Sequence, residues 1–425
     1  MSSPRLNSPD MLGALAPVKP RFGPRHRWVV LGVGVAAQAS FSAAITGLPV
    51  TGPTMRAAYH LSTAGVGFVL GSIYLGIAVS EIVWGLWTDR FGERKILLIG
   101  LLSTALALAL MAALVVPHGS STPSIGLLAV AMLLVGVLGG SVNGSSGRAV
   151  MSWFRDGQRG LAMSIRQTAM PAGGSIGTLL LPWLARNHGF RPVYLVLSAF
   201  CVAAAAAAWR WLHQPESMAG AAPKAARSES AVSPLRRKDV WRLATASAML
   251  TFPQLGVLTF AAIYLTDVKH ASLAVVVATL LVTQVGGAAA RIGSGRYTDL
   301  HGNRRGMVRA IGVASGIVLI IAALLNGAPT LVVATALAIG GLLANAWHGV
   351  AYTEIAYMAG AERAGTALGL ENTTVFGAAF LTPLLIPFLL DRSSWPVVWV
   401  VIGAIALLAL PTTPRNPAAV TSTQN

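Results

Sequence analysis

Charged residues and cysteines are scarce in this sequence. Asp, Glu, Lys and Arg make up only 11% of its 425 residues, whereas a soluble domain carries about 25%. This shortage excludes an ordinary soluble globular protein. Cys201 is the single cysteine, so the sequence contains neither an intrachain disulfide nor a metal site built from several thiolates.

The signature motifs of common enzymes are also missing. The sequence has no Walker phosphate loop, no His-Glu-x-x-His zinc pattern and no serine nucleophile elbow. Its eight histidines are scattered without the spacing of metal ligands. We therefore expect no enzymatic activity, no cofactor and no metal site.

Long apolar segments dominate the sequence, which is 54% hydrophobic with a mean hydropathy of +0.66. Twelve of these segments have the length that a helix needs to cross a membrane. We number them spans 1 to 12, at 28–50, 64–87, 95–116, 125–147, 161–185, 192–213, 240–265, 271–295, 307–326, 330–357, 365–390 and 394–411. They predict an all-α membrane protein with twelve transmembrane helices.

The formal net charge of +17 is unevenly distributed. We assign 24 of the 31 Lys and Arg residues to the two tails and the even-numbered loops. The odd-numbered loops and the span interiors hold the rest: Arg56, Arg186, Arg191, Lys269, Arg392, Arg166 and Arg291. This asymmetry is typical of a multi-pass protein of the cell membrane (inner or plasma membrane) with both termini cytoplasmic. The excess charge thus indicates topology, and we expect no nucleic-acid partner.

The spans divide the sequence into five segments. Residues 1–27 predict a cytoplasmic tail, because they lack the apolar run and cleavage site of a signal peptide. Residues 28–213 and 240–411 predict two six-helix bundles. Between them, residues 214–239 are rich in Ala, Ser, Pro and basic side chains and predict a cytoplasmic linker. Residues 412–425 predict a C-terminal tail.

One signature occurs twice, 210 residues apart. After span 2 it reads Gly85-x-x-x-Asp89-Arg90-x-Gly92-x-Arg94-Lys95, and after span 8 it reads Gly295-x-x-x-Asp299-x-x-Gly302-x-Arg304-Arg305. A second pair of related segments, 160–168 in span 5 and 365–373 in span 11, has an offset of 205. The halves of the chain are therefore parallel repeats of six spans each.

The repeated signature, the twelve spans and the central basic linker together resemble the major facilitator superfamily over essentially the whole chain. The second copy departs from the pattern at Leu300, where the first has an Arg. The resemblance implies a monomeric secondary transporter, with two pseudo-symmetric bundles in the lipid bilayer and a path for a small-molecule substrate between them. Without a nucleotide site, transport must use an ion gradient or the gradient of the substrate. Protons are favoured because buried carboxylates are available, and sodium remains an alternative.

The residue types of the signature can be explained by helix packing and capping. Gly85 and Gly295 allow a neighbouring helix to approach closely. Asp89 and Asp299 are placed to cap the positive N-terminus of a helix from the other half. The resemblance implies that these contacts, joined by Arg148 and Glu354, form a gate on the cytoplasmic side. The alternative is that the charged loops only fix the topology.

Four charged residues lie inside spans, where charge is costly and therefore indicates function. Glu81 and Arg291 each precede a signature Asp by eight residues, about 12 Å along a helix. Arg166 and Glu371 lie about 9 Å from the starts of spans 5 and 11, so all four approach one depth in a half-membrane of roughly 15 Å. In the superfamily span 2 abuts span 11 and span 5 abuts span 8, which implies the like-charge pairs Glu81–Glu371 and Arg166–Arg291.

Such pairs predict a proton-coupled anion carrier. Two arginines can hold a carboxylate through forked hydrogen bonds, and two nearby carboxylates cannot both ionise easily, so one binds a proton. The alternative is that Glu81–Arg166 and Arg291–Glu371, or other cross-pairings, are structural salt bridges. Further polar candidates for substrate contact lie at similar depth: Tyr74, Gln284, Gln38, Gln254, Trp347 and His348.

Arg291 is similar in position to the substrate arginine of oxalate and nitrate carriers in this superfamily. Glu81 and Glu371 stand where those carriers have cations, which argues against a direct transfer of either substrate. Proton-driven efflux of drugs or metabolites is the alternative function. Its span-5 motif, Gly-Pro-x-x-Gly-Gly, is incomplete here at residues 170–174, and small-residue packing by Gly173 and Gly177 explains those glycines equally well.

Overall fold

The computed structural model describes residues 22–23, 25–117, 121–213 and 232–415. The predicted tails, 1–27 and 412–425, and the predicted linker, 214–239, lie mostly outside these residues. Their boundaries therefore stay predictions.

The first half consists of helices that follow the predicted spans closely. They are His26–Val50 (span 1), the short helix Gly52–Ala58, Thr63–Phe91 (span 2), Glu93–Leu114 (span 3), Ile125–Gly139 with Ser141–Trp153 (span 4), Arg159–Gln167 with Ala169–His188 (span 5), and Phe190–Trp211 (span 6).

The second half repeats this plan with more irregular helices. After the 3₁₀ turn Pro234–Arg236 come Lys238–Ile263 with the π-helical turn Tyr264–Val268 (span 7), Leu273–Leu281, the π-helical turn Val282–Gly286 and Gly287–His301 (span 8), Arg304–Leu324 and the 3₁₀ turn Leu325–Gly327 (span 9), Thr330–Ala344 with His348–Ala359 (span 10), the 3₁₀ turn Ala361–Arg363, Ala364–Leu390 (span 11), and Trp395–Leu407 with Ala409–Thr412 (span 12).

Local sequence sets several of these boundaries. The hydroxyls of Ser62, Ser124 and Ser272 accept backbone N–H groups at the starts of spans 2, 4 and 8. Gly92 (φ 88°) and Gly302 (φ 71°) end spans 2 and 8 in a backbone conformation that favours glycine. The two signature glycines thus let the chain turn sharply into spans 3 and 9.

Eleven helices of the described residues are long and apolar enough to cross a membrane. Predicted span 5 is not among them. It is divided at Thr168, and its longer part, Ala169–His188, carries three glycines and ends in Arg186, Asn187 and His188. These residues lower the mean hydropathy of the helix. It nevertheless packs lengthwise against span 1, as a membrane-spanning helix would. The predicted all-α membrane architecture is confirmed.

The helices pack as two related bundles. Span 1 packs on span 5, span 2 on span 4, and span 3 on span 6. The corresponding pairs of the second half, 7 with 11, 8 with 10 and 9 with 12, pack in the same way. Span 2 meets span 11 and span 5 meets span 8 across the halves. This is the pseudo-symmetric arrangement that the repeats predict.

Span 5 approaches span 1 through glycines. A Cβ atom at Gly173 would collide with the backbone of Ala39, and one at Gly177 would collide with the backbone of Ala43 and Gly47. Close helix packing therefore accounts for the two glycines.

Candidate functional site

A cavity of about 660 Å³ lies between the two halves. Arg166 and Arg291 line its base, and Pro49 and Val50 line it where span 1 ends, away from the side that carries the two signatures. Seven of the eight predicted substrate residues line the cavity: Gln38, Tyr74, Arg166, Gln254, Gln284, Arg291 and His348.

Trp347 is the eighth predicted substrate residue and does not line the cavity. Its side chain is fully buried, and its ring stacks on that of His348 with 3.8 Å between the centroids. Trp347 is the residue before the helix His348–Ala359, in the break between the two helices of span 10. Trp347 instead supports His348, whose Nδ1 has no hydrogen-bond partner among the described residues.

Residues of the first half hold Arg166. Its Nε donates to Ser146 Oγ at 3.0 Å, and its Nη2 donates to Gln38 Oε1 at 2.8 Å and to the backbone oxygen of Asn143 at 2.6 Å. Gln38 Nε2 in turn donates to Asn143 Oδ1 at 2.7 Å. Spans 1, 4 and 5 therefore fix the guanidinium in one orientation.

Glu81 is fully buried in span 2 and does not line the cavity. Asn143 Nδ2 donates to its Oε1, and Asn372 Nδ2 of span 11 donates to its Oε2 at 3.2 Å. Because Asn143 binds Glu81 with its side chain and Arg166 with its backbone, one residue separates the two opposite charges. Asn372 also accepts a hydrogen bond from the hydroxyl of Tyr352.

Arg291 binds only neutral acceptors among the described residues. Its Nε donates to the backbone oxygen of Asn345 at 3.1 Å and its Nη2 to Asn345 Oδ1 at 3.3 Å. Its Nη1 donates to the backbone oxygen of Gln167 in span 5 at 2.8 Å, across the halves. That oxygen is available because Pro171, four residues later, has no N–H to donate to it.

Glu371 is fully buried in span 11 and turns toward span 7. Ser247 Oγ donates to its Oε1 at 2.7 Å. Its Oε2 has no hydrogen-bond partner within the described ranges, and the residue does not line the cavity. It is therefore a buried carboxyl group with one unsatisfied oxygen.

The expected like-charge pairs do not form, because each contact is shifted by one residue. Glu81 binds Asn372 rather than Glu371, and Arg291 binds Gln167 rather than Arg166. One residue turns a helix by about 100°, so Arg166 and Glu371 face their own halves. None of the four intramembrane charges forms an ion pair in the described part of the chain. The alternative interpretation, in which these residues form structural salt bridges with each other, is therefore wrong for this conformation.

The sequence analysis missed several polar residues that line the cavity, among them Asn143, Gln167, Asn345, Tyr352 and Asn372. A signal for two of them was present, since Gln167 and Asn372 occupy the same place in the repeat. Nothing in the sequence singles out Asn143 from other polar residues of span 4, because its importance depends on spans 1, 2 and 5 meeting around it.

Asp89 caps the N-terminus of span 11. The backbone N–H groups of Gly365 and Thr366 donate to its two carboxylate oxygens at 2.8 and 2.7 Å, and Thr366 Oγ1 donates at 2.6 Å. The positive end of the helix and the carboxylate attract each other. Gly85 permits this approach, because a Cβ there would collide with the backbone of Gly365.

Asp299 makes the equivalent contact in the other direction. The backbone N–H groups of Gly160 and Leu161, at the start of span 5, donate to its carboxylate at 2.9 and 2.8 Å. Gly295 lies against the backbone of Gly160 as Gly85 lies against Gly365. Each half therefore caps one helix of the other half on the side that carries the signatures.

Ion pairs surround the two caps. Arg148 pairs with Glu93 at 2.6 Å and Asp89 at 3.3 Å. The second half contributes Arg305–Glu354 at 2.6 Å, Arg304–Asp299 at 3.6 Å and Arg304–Asp156 at 3.4 Å. The other predicted gate cations point elsewhere: Arg94 donates to the backbone of Trp209, whereas Arg90 and Lys95 are exposed.

Comparison with known proteins places these features in a family. The model of the Major Facilitator Superfamily matches residues 33–383. An uncharacterised MFS-type transporter of Mycobacterium tuberculosis (strain ATCC 25618 / H37Rv) is 33% identical over 394 residues, which cover 91% of this chain and 85% of that protein. A gallate transporter of Pseudomonas putida is 29% identical over 170 residues, 39% of this chain and 34% of that protein. The solved proton:xylose symporter XylE has the same fold, with a TM-score of 0.77 and 14% identity over 92% of this chain and 97% of that one.

Glu81 and Arg166 should stabilise the protein as a unit. Glu81→Gln or Arg166→Gln alone leaves one buried charge without its opposite, which costs about 3 kcal/mol or more. The double variant should recover about 1 to 3 kcal/mol of the summed cost, measured as the shift of the thermal unfolding midpoint in detergent. The exposed residues Arg90 and Asp391, on opposite sides of the membrane, provide a control pair, Arg90→Gln and Asp391→Asn, whose effects are expected to be additive. Additive losses for Glu81 and Arg166 would contradict the bridge through Asn143.

Proposed function

Since the chain belongs to the Major Facilitator Superfamily, whose members are membrane transporters, we propose that it moves a small organic anion, a carboxylate, across the membrane by alternating access. Transport is coupled to protons, and both termini are cytoplasmic. The substrate enters the cavity between the halves and leaves on the other side after the halves rock.

The observation that carries this proposal is the state of Arg291. The residue is only 3% exposed, lines the cavity and donates to three neutral acceptor atoms. A buried cation without an opposite charge is unfavourable. A carboxylate entering the cavity supplies that charge and can accept two N–H groups of the fork at once.

Two further features support an organic anion. The cavity volume of about 660 Å³ falls in the range of sites that bind small organic molecules. The gallate transporter of Pseudomonas putida, a relative over part of the chain, is named for a carboxylate substrate. That likeness is distant, so the charge of the cavity is the stronger argument.

Glu371 is the residue to which we assign proton coupling. Burial favours the neutral, protonated form of a carboxyl group, and the unsatisfied Oε2 leaves a place for the proton. Glu81 receives two amide N–H groups, which satisfy its ionised form. Glu81 therefore keeps its charge opposite Arg166, while Glu371 binds and releases a proton during transport.

The two aspartate caps form the gate in this proposal. In the described conformation they hold the halves together on the signature side, while the cavity extends toward the other side. With cytoplasmic termini, this conformation faces outward. Opening the cytoplasmic side requires both caps to break.

Removing the charge of Arg291 should abolish transport without unfolding the protein. Loss of a buried charge-assisted pair costs about 2 to 5 kcal/mol, so Arg291→Gln should reduce uptake of carboxylates into proteoliposomes by about 30-fold or more. Arg296→Gln, at an exposed position of the same span, is the matched control and should transport normally. Equal uptake by the Arg291 variant and the control would exclude an anion site at Arg291.

Replacing Glu371 should abolish proton-driven accumulation of substrate but preserve substrate exchange. Gln mimics the protonated carboxyl group and still accepts from Ser247, so Glu371→Gln should retain exchange of labelled for unlabelled substrate. Accumulation driven by an inward proton gradient should be lost. Glu362→Gln, in the exposed loop before span 11, is the control. If the Glu371 variant accumulates substrate as well as the control does, the proton site lies elsewhere.

Removing both caps should shift the conformational equilibrium. Each capping carboxylate contributes about 1 kcal/mol, so Asp89→Ala with Asp299→Ala should change the equilibrium constant between the two forms by roughly tenfold or more, away from the form closed on the signature side. The measurement is labelling of a cysteine introduced at Ser175, which lines the cavity, by an impermeant maleimide added outside. The natural Cys201 is buried and stays unlabelled. Asp391→Ala, at an exposed loop, is the control, and unchanged labelling of the double variant would refute the gate.

A further inference from the structure

We infer that the substrate carries one negative charge and an apolar body about the size of a ring, and that the cavity discriminates against dianions of similar shape. This inference rests on the proposed function and specifies its substrate class. It follows from the hydrogen bonds of the two cavity arginines and from the distribution of apolar side chains above them.

Arg166 is already neutralised and occupied. Among the described residues that line the cavity, Arg166 and Arg291 are the only Lys or Arg side chains. The donors of Arg166 point to Ser146, Gln38, the backbone of Asn143 and, from Nη1, the sulfur of Met163. Glu81 provides the opposite charge across Asn143. A carboxylate at Arg166 would have to displace these acceptors and approach the negative charge of Glu81.

Arg291 has room for one carboxylate. A guanidinium has five N–H donors, and three hydrogen bonds to Asn345 and Gln167 leave two of them. Two donors match the two oxygens of a single carboxylate. His348 lines the same region of the cavity, but the charge of Arg291 disfavours a second positive charge next to it. The base therefore balances one negative charge and no more.

The walls above the base are suited to an apolar body. The lining includes Met170, Val375, Phe376 and Ala379, with Leu255 of span 7. Its surface is mostly apolar, although Tyr74, Gln254 and Gln284 also reach it. Burying apolar surface of the substrate against these side chains is favourable in proportion to the area removed from water. Acetate would leave most of the cavity, about 660 Å³ in volume, filled only with water.

Four related compounds test the inference on the purified full-length protein. Phenylacetate combines one carboxylate with an apolar ring. Phenylacetamide lacks the charge, acetate lacks the ring, and homophthalate adds a second carboxylate to phenylacetate. Binding is measured by isothermal titration calorimetry in detergent at one pH and ionic strength.

We expect phenylacetate to bind at least about tenfold more tightly than each of the other three compounds, because each lacks one matched feature or adds an unmatched charge. Arg291→Gln should weaken phenylacetate binding by about tenfold or more, and Arg291→Lys, which keeps the charge without the fork, should bind with intermediate affinity. Elution volume and melting temperature establish that each variant is folded.

Several results would overturn the inference. Homophthalate binding as tightly as phenylacetate would show that the site accepts a second charge. Acetate binding as tightly would show that the apolar walls contribute nothing, and a failure of phenylacetate to bind would exclude the class even if other anions are transported. If phenylacetamide binds as tightly as phenylacetate and Arg291→Gln changes neither, the proposed anion site fails as well.

Discussion

An ionised side chain inside an apolar bundle must find its partners among its neighbours, because water is largely absent there. This constraint organises the centre of the protein. Arg166 and Glu81 satisfy it jointly through Asn143, which is why spans 1, 2, 4 and 5 meet around one asparagine. Arg291 satisfies it only in part, with neutral oxygens. This difference suits Arg166 to a structural role and Arg291 to binding a negatively charged substrate.

The same helices that carry the intramembrane charges also carry the caps. Span 8 holds the first helix of span 5 at both ends, with Asp299 at Gly160 and Arg291 at Gln167. Span 2 holds span 11 in the same two-point manner, through Asp89 and Glu81. Because the inner contact of each pair lies near the cavity, residues that line the cavity also hold the two halves together.

Much of this arrangement could be predicted from the sequence. The apolar spans and the repeat predicted the all-α architecture in two related halves, because periodicity and internal homology are properties of the chain itself. The contacts between spans 2 and 11 and between spans 5 and 8 were predicted only from the resemblance to the superfamily. Counting residues from Asp89 and Asp299 gave the depth of Glu81 and Arg291. The direction in which each side chain points could not be predicted in this way, because an error of one residue rotates the position around the helix axis by about 100°. Asn372 and Gln167 therefore replaced the expected partners, and Trp347 turned out to lie behind His348.

Pro171 marks a difference between the two repeats in how they make the contact between the halves. Its lack of an N–H leaves the carbonyl of Gln167 for Arg291. At the equivalent place in span 11, 205 residues later, stands Phe376, which has an N–H, and there the side chain of Asn372 makes the contact with Glu81. The two repeats therefore join the halves at equivalent places with opposite chemistry. In one, the cation Arg291 donates to a backbone oxygen; in the other, a side-chain amide donates to the anion Glu81. The arginine of span 8 and the proline of span 5 therefore act on one carbonyl oxygen: the arginine supplies its donor, and a residue with an N–H in place of the proline would add a competing one.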